Sequence, residues 1–185
     1  MLNPKQVDDL AETLGFNHWP RAIGNPRQHL VYATEQVYSS VKDWWGESSC
    51  FISTTGYDNL IFDNGKQSPR SIIYGLTFFD FDNDTKPENA FADAQRLSQF
   101  LTELNVAHWV QYSGSKGYHV FIVHKPTRFR FEHRDGSAEA LKTLVNQTQT
   151  HLKKTLGLNT LDEQTTGDPK RLCRFPFTPH INRRG

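Results

Sequence analysis

The sequence predicts an α+β fold, and two features of its second half indicate which kind. Segments rich in β-branched and aromatic residues alternate with segments whose apolar residues recur at helical spacing. From residue 72 onward their order is strand, helix, strand, strand, helix, strand. This split βαβ order is typical of ferredoxin-like and RNA-recognition (RRM-like) modules, in which helices cover one face of an antiparallel sheet. We therefore predict one domain: an RRM-like βαββαβ core at 71–185, with an N-terminal α/β extension at 1–70 packed on it.

The N-terminal extension is predicted to be mostly helical. Apolar residues recur at helical spacing over 7–14 and again over 28–45. Two short strands are expected at 50–54 and 59–62, separated by a turn at 56–59.

The core begins with a predicted strand at 72–82. The spacing from Thr85 to Glu88, with Pro87 between them, predicts a capping box and a helix start. The apolar face of this helix is formed by Phe91, Ala94, Leu97, Leu101 and Leu104.

The rest of the core is predicted as a hairpin, a helix and a strand. The hairpin joins strands at 107–113 and 118–123, and a loop rich in basic residues follows it. Ser137 is a suitable cap for the second helix and Gly157 a suitable end. The apolar stripe of that helix consists of Leu141, Leu144, Val145, Leu152 and Leu156. The last strand is expected at 171–175.

The size and composition of the chain set modest limits on its function. It has 185 residues, enough for a buried core, and its net charge of +1 excludes no class of partner. Two cysteines are too few for a disulfide framework or a cysteine-rich zinc module, which favours a reducing compartment. The sequence has neither a membrane-spanning apolar run nor a signal peptide. We expect a cytoplasmic protein with no membrane partner.

Two carboxylates end the first core strand. Because side chains alternate along a strand, Asp80 and Asp82 share one face, and Phe79 and Phe81 share the other. Carboxylates held this close raise each other's pKa unless a cation lies between them. Mg²⁺ and Mn²⁺ prefer oxygen ligands, so the pattern predicts a site for one of them.

The hairpin supplies a second candidate site. Its glycines, Gly114 and Gly117, allow the backbone to approach a ligand closely. Ser113, Lys116 and His119 add a hydroxyl, an ammonium and an imidazole, a set that can hold a triphosphate. Taken alone, a glycine-rich turn without a ligand explains the same residues equally well.

A third cluster lies between residues 161 and 180. Each of its polar residues, taken singly, has an ordinary explanation as a turn residue, a surface charge or a loop histidine. Arg171 and Arg174 are three residues apart, and such residues point to opposite faces of a strand. We therefore expect at most one of these two arginines in a given site.

Together the three motifs, in this order, resemble the archaeo-eukaryotic primase superfamily over residues 72–180. That superfamily includes the small catalytic subunit of primases, the primase-polymerases of plasmids and viruses, and the polymerase domains of bacterial end-joining ligases. The resemblance implies that Asp80, Asp82 and Asp162 are catalytic and bind two Mg²⁺ or Mn²⁺ ions. The residues that it implies at the nucleotide are Ser113, Gly114, Lys116, Gly117, His119, Arg174 and His180. Asp168 and Arg171 match the motif in a supporting role.

The activity implied by the resemblance is metal-dependent, template-directed nucleotidyl transfer. A DNA primase or primase-polymerase of a replicon would synthesise or extend primers on single-stranded DNA from nucleoside triphosphates, with a helicase or an accessory primase domain or subunit as candidate partner. The template is expected over the basic residues Lys125, Arg128, Arg130 and Arg134. Two alternatives stay open: an end-joining repair polymerase of the same superfamily and a non-catalytic nucleic-acid-binding module. A metal-dependent glycosyltransferase is disfavoured, because it would lack the two later motifs.

Overall fold

The computed structural model describes the backbone of residues 3–25, 27–42, 44, 47–63, 66–130 and 137–180, and their side chains except at 59, 61–63, 66–69, 137 and 138. Within these ranges the helices are α1 (Pro4–Thr13), α2 (Glu35–Val41), α3 (Pro87–Glu103) and α4 (Ser137–Leu156). The strands are β1 (Arg21–Gly24), β2 (Gln28–Val31), β3 (Phe51–Ser53), β4 (Gly56–Asp63), β5 (Lys66–Asp82), β6 (His108–Tyr112), β7 (Gly117–Arg130) and β8 (Leu172–Arg174). Arg134 and Trp45, which the sequence placed in a template-binding loop and a helix, lie outside the described residues.

The strands form two antiparallel sheets, with the orders β4-β5-β7-β6 and β2-β1-β3-β8. The α+β class is confirmed, and β5, β7 and β6 have the order that a split βαβ core requires. The fourth strand differs from the prediction, since β8 pairs with β3 in the second sheet. The edge beside β5 is instead taken by β4, which directly precedes β5 in the chain and forms a long hairpin with it.

The two faces of β5 contact different layers. Phe79 and Phe81 are fully buried and pack against apolar residues of α3, as the alternation predicted. Leu76 and Phe78 point the other way and join a core that includes α1, α2 and the second sheet. The alternation therefore leaves Asp80 and Asp82 on the side of β5 that faces away from α3.

The N-terminal extension contains more strand than the sequence predicted. Residues 28–31 form β2, so the predicted helix over 28–45 is wrong in its first part, and β1 was not predicted. Both strands are held by tertiary pairing, because β1 lies between β2 and β3. The predicted turn at 56–59 is also wrong: β4 begins at Gly56, where an added Cβ would lie 2.6 Å from the carbonyl oxygen of His18. This glycine permits a close approach between two chain segments.

Several predictions for the core also need correction. The basic residues after 123 lie on β7 up to Arg130, so they belong to a strand. The capping box of α3 is absent, and Asn83 Oδ1 instead accepts hydrogen bonds from the backbone N–H groups of Thr85 and Lys86. In the apolar faces predicted for α3 and α4, Phe91, Leu104 and Leu144 are exposed, Leu152 and Leu156 are half-buried, and the other side chains are buried. In the described part of the chain, no helix has the length and hydropathy to span a bilayer.

Candidate active site

Three neighbouring strands place polar side chains in one row. Asp80 on β5 is the cross-strand partner of His119 on β7, and His119 is the partner of Gln111 on β6. Directly opposite residues in a sheet point to the same face, so these three side chains lie side by side. One step along, Asp82 is paired with Gly117, the second glycine of the hairpin. The first two motifs therefore meet at one end of the sheet.

The third carboxylate is brought to this row by backbone hydrogen bonds. The N–H of Asp162 donates to the carbonyl oxygen of Asp80 at 2.8 Å, and the N–H of Asp82 donates to that of Thr160 at 2.9 Å. A β-bridge between Phe81 and Leu161 lies between them. The segment at 160–162 thus runs antiparallel beside the end of β5, and three carboxylates from two distant motifs converge.

The electrostatics of Asp80 reflect this crowding. Burial, followed by the charges of Asp162 and Asp82, raises the pKa of Asp80 to about 6. The nearby guanidinium groups of Arg171 and Arg174 act in the opposite direction. Arg171 precedes β8, so the alternation of strand faces does not apply to it. The prediction that at most one of these two arginines joins the site stays a prediction.

His119 is a buried, neutral side chain. It is 7 % exposed, and its ring lies against those of Phe78 and Phe121, with centroids 5.0 and 6.2 Å away. Burial, together with the charges of Arg174 and Arg171, lowers the pKa of His119 to about 3. Its Nε2 lies 3.5 Å from Oδ1 of Asp80, and its Nδ1 has no hydrogen-bond partner among the described residues.

The hairpin glycines are required by close contacts on both sides. Gly114 has φ +87°, and an added Cβ would collide with the guanidinium of Arg174 and lie 3.2 Å from Cβ of His180. At Gly117 an added Cβ would collide with the carbonyl oxygen of Phe81. Ser113 closes the turn, because its Oγ accepts a hydrogen bond from the N–H of Gly117 at 3.1 Å. The hairpin therefore connects the third motif to the end of β5.

Lys116 lies across the carboxylates. Its Nζ is 3.1 Å from Oδ2 of Asp82 and also forms an ion pair with Asp84. Arg174, by contrast, is buried: the residue is 8 % exposed, and its Nε and Nη1 have no hydrogen-bond partners in the described part of the chain. Both cations face the side of the sheet that carries Asp80.

The sequence analysis missed Gln111 and the cavity beside it. Nε2 of Gln111 donates to the carbonyl oxygen of Arg174 at 3.3 Å, and its buried Oε1 has no partner among the described groups. Gln111 and Gly114 also line a cavity of about 570 Å³, whose wall includes the rings of Trp109, Tyr112 and Phe177. The alternation of β6 could have placed Gln111 beside His119, but only once the register between β6 and β7 was known.

Comparison with known proteins identifies the family. A family model described as the LigD primase-polymerase domain matches residues 70–165, just over half of the chain. This chain belongs to the LigD primase-polymerase domain family. The predicted membership of the archaeo-eukaryotic primase superfamily is thereby confirmed, and with it the general class of nucleotidyltransferase.

The search of solved structures found matches, whereas no curated protein matches. The polymerase domain of ligase D from Mycobacterium tuberculosis, in complex with DNA, has 13 % sequence identity to this primase-polymerase domain and a TM-score of 0.47. The match covers 95 % of this chain and 76 % of that chain. The family match itself includes Asp80, Asp82, the hairpin and Asp162, but it ends before Arg171.

The predicted metal site requires that the side chains at this end of the sheet fit a cation. Among the described residues, no three Asp, Glu, His or Cys side chains are placed together as ligands of one ion. The available donors nevertheless fit a hard divalent cation, because they are carboxylates. Burial is the largest cause of the raised pKa of Asp80, and the charges of Asp162 and Asp82 come next; a cation beside these carboxylates would oppose the effect of their charges.

Proposed function

We propose that this primase-polymerase domain transfers nucleotides from nucleoside triphosphates to the 3′-hydroxyl of a DNA strand under the direction of a template. The convergence of Asp80, Asp82 and Asp162 at one strand end, next to the hairpin, is the observation that supports the proposal. Carboxylates are ligands that divalent cations prefer, and these three come from two separate segments of the chain.

In this proposal the three aspartates bind Mg²⁺ or Mn²⁺. When bound, the cations neutralise charge on the reacting phosphate and on the pyrophosphate that leaves. The pair formed by Lys116 and Asp82 must then open, because the ammonium and a cation compete for the same carboxylate. Lys116 is well placed for a new role at the phosphates, since it lies on the hairpin directly beside the carboxylates.

The nucleotide is proposed to lie between the hairpin and the third motif. Ser113, Lys116 and the backbone amides of the hairpin would bind the β- and γ-phosphates. Among the described residues, Nε and Nη1 of Arg174 have no hydrogen-bond partner; Nη1 lies next to Gly114, and charge-assisted hydrogen bonds to phosphate would satisfy these donors. His119 is neutral, so it would act as a hydrogen-bonding group with no positive charge. His180 lies beside the same face of Gly114 as Arg174 and would also contact the nucleotide.

The template is proposed to bind through its phosphates along β7. Lys125, Arg128 and Arg130 lie on the outer half of that strand, and an array of basic side chains suits the DNA backbone. Arg128 pairs with Asp58 at 2.8 Å, so a template phosphate would have to compete with that carboxylate for its guanidinium. No helicase or accessory subunit is needed for strand extension, although either would be compatible with primer synthesis during replication.

Primer synthesis without a pre-existing strand is the second candidate. The block from Arg171 to His180 favours it, because its Arg-Leu-x-Arg-x-Pro pattern is closer to primases than to end-joining polymerases. The family match, in contrast, favours extension of DNA ends. Primed and unprimed templates separate these two candidates directly.

The test is incorporation of a labelled nucleotide on a primed template with Mn²⁺ or Mg²⁺. The Asp82→Ala variant should lose incorporation and keep DNA binding. Asp9→Ala provides a matched control, because it removes an exposed carboxylate from α1, away from the site. Equal incorporation by the two variants would overturn the proposed function. Products on an unprimed template would establish the second candidate.

A further inference from the structure

Asp93 occupies a position in α3 where an apolar residue would be expected. Its neighbours on the buried face of the helix are Ala90, Ala94, Leu97 and Leu101, and Asp93 itself is 5 % exposed. A carboxylate in such a place loses its water, which costs several kcal/mol unless hydrogen bonds and a paired charge replace it. None of the three motifs includes this residue, so its burial needs another explanation.

Asp93 contacts the segment that follows α4, both directly and through Arg96. Its Oδ2 accepts hydrogen bonds from the backbone N–H and the Oγ1 hydroxyl of Thr160, at 2.8 and 3.0 Å. Its Oδ1 pairs with Nη1 of Arg96 at 3.0 Å. Arg96 also donates to the carbonyl oxygens of Leu156 and Gly157, where α4 ends. Two side chains one turn apart on α3 therefore hold the end of α4 and the residues after it.

Thr160 connects this anchor to the carboxylates. It is 8 % exposed, and its carbonyl oxygen accepts the N–H of Asp82 at 2.9 Å. Two residues later, the N–H of Asp162 donates to Asp80. A shift of Thr160 along β5 would therefore move Asp162 away from Asp80.

The other hydrogen bonds of Asp162 do not fix its place on the sheet. Its Oδ1 accepts from the N–H of Gln164, and its carbonyl oxygen accepts from the hydroxyls of Thr165 and Thr166. These bonds shape the turn but move with it. At the far end, Gln149 links the N–H of Gly167 to the carbonyl oxygen of Phe78. The near end is anchored by Asp93.

We infer that Asp93 is a positioning residue that acts through Thr160 and sets the place of Asp162 relative to Asp80 and Asp82. This inference rests on the proposed function, because it takes Asp162 as the third metal-binding carboxylate. Asp93 lies on α3, on the opposite side of β5 from the row of Asp80, His119 and Gln111. Its loss should therefore weaken metal binding and turnover without changing the affinity for the nucleotide.

Thr160→Val and Thr160→Ser form the matched pair that tests this inference. Valine has nearly the shape of threonine but no hydroxyl, whereas serine keeps the hydroxyl that bonds to Asp93. Loss of a residue that orients a metal ligand typically costs 10–100-fold in metal affinity or activity, so kcat and Mn²⁺ affinity should fall by about this factor in Thr160→Val. Thr160→Ser should remain close to the wild type, and KM for the nucleotide should stay within about twofold in both.

Asp93→Ala removes both hydrogen bonds to Thr160 and the pair with Arg96, so its loss in kcat and in Mn²⁺ affinity should be at least that of Thr160→Val. Mn²⁺ affinity is measured by electron paramagnetic resonance of the free ion. Should Asp93→Ala fail to fold, the threonine pair decides the question alone. Equal kcat and equal Mn²⁺ affinity in Thr160→Val and Thr160→Ser would overturn the inference, as would a rise in KM without a change in kcat. Asp162→Asn is the control for the proposed function: if it keeps full activity, the proposed function fails first.

Discussion

The charge of Asp80 should make the metal-free protein less stable as the pH rises. The ordinary pKa of this carboxyl is 3.8, and in the folded protein it is raised to about 6. Between these two values the folded state holds a proton that the unfolded state has lost, so stability falls with increasing pH. At 1.36 kcal/mol per pKa unit, the loss is complete above pH 6 and amounts to about 3 kcal/mol.

Asp80→Asn removes this loss, since asparagine cannot ionise. Relative to the wild type, the variant should therefore gain about 3 kcal/mol in the free energy of unfolding between pH 4 and pH 7. His119 has a lowered pKa that gives the opposite slope in this range, and it contacts Asp80, so the comparison is made with His119→Gln present in both proteins. A shift of this size is about 6–12 °C in Tm for a chain of this length.

The assay is urea unfolding in the presence of a chelator, followed by tryptophan fluorescence at several pH values. Asp84→Asn is the matched control, because it removes an exposed carboxylate close to the same site. Parallel pH dependences with and without Asp80→Asn would refute the reasoning. Added Mn²⁺ should then stabilise the wild type more than Asp80→Asn, because only the wild type has the full carboxylate set.

Three further predictions concern the hairpin and the buried arginine. Gly117→Ala should lose about 1–3 kcal/mol in urea unfolding, because its Cβ would collide with the Phe81 carbonyl oxygen. Gly75→Ala, whose Cβ would meet its nearest atom at 3.6 Å, should lose less, and equal losses would be inconsistent with this contact. Lys116→Ala should raise KM for the nucleotide. It should change the free energy of unfolding by less than about 1 kcal/mol, since the ion pairs of Lys116 are exposed. An unchanged KM would show that Lys116 does not belong to the phosphate site. Arg21 is 1 % exposed and donates to a backbone carbonyl. The Tm of Arg21→Lys should be lower than that of Arg21→Met, because only lysine leaves a buried charge. The reverse order of the two Tm values would contradict this.

Local patterns predicted the core elements well because each element carries its own signal. The strand that ends at Asp82 and the helix from Pro87 both have the expected residue periodicity, and the structure contains both. The pairing of β8 with β3 could not be predicted in this way, because it depends on whether β4 or β8 occupies the edge beside β5. The short strands β1 and β2 have the same origin in tertiary contacts.

The site shows the same division between local and tertiary information. The placement of Asp80 and Asp82 on one face follows from strand alternation alone. The approach of Asp162 to β5 depends on the position of Thr160, which Asp93 holds from α3. No local sequence pattern reveals this contact between distant segments. Gln111 was missed for a related reason, because a single glutamine in a short strand carries no motif.

The most direct test of the account is the position of Mn²⁺ and of a non-hydrolysable nucleoside triphosphate in a crystal of this protein. Anomalous scattering should place Mn²⁺ within about 2.0–2.6 Å of carboxylate oxygens of Asp80 and Asp82, with the triphosphate against the hairpin at 113–117. Mn²⁺ bound elsewhere, or a triphosphate that does not touch the hairpin, would contradict the claim that these motifs form one nucleotidyl-transfer site.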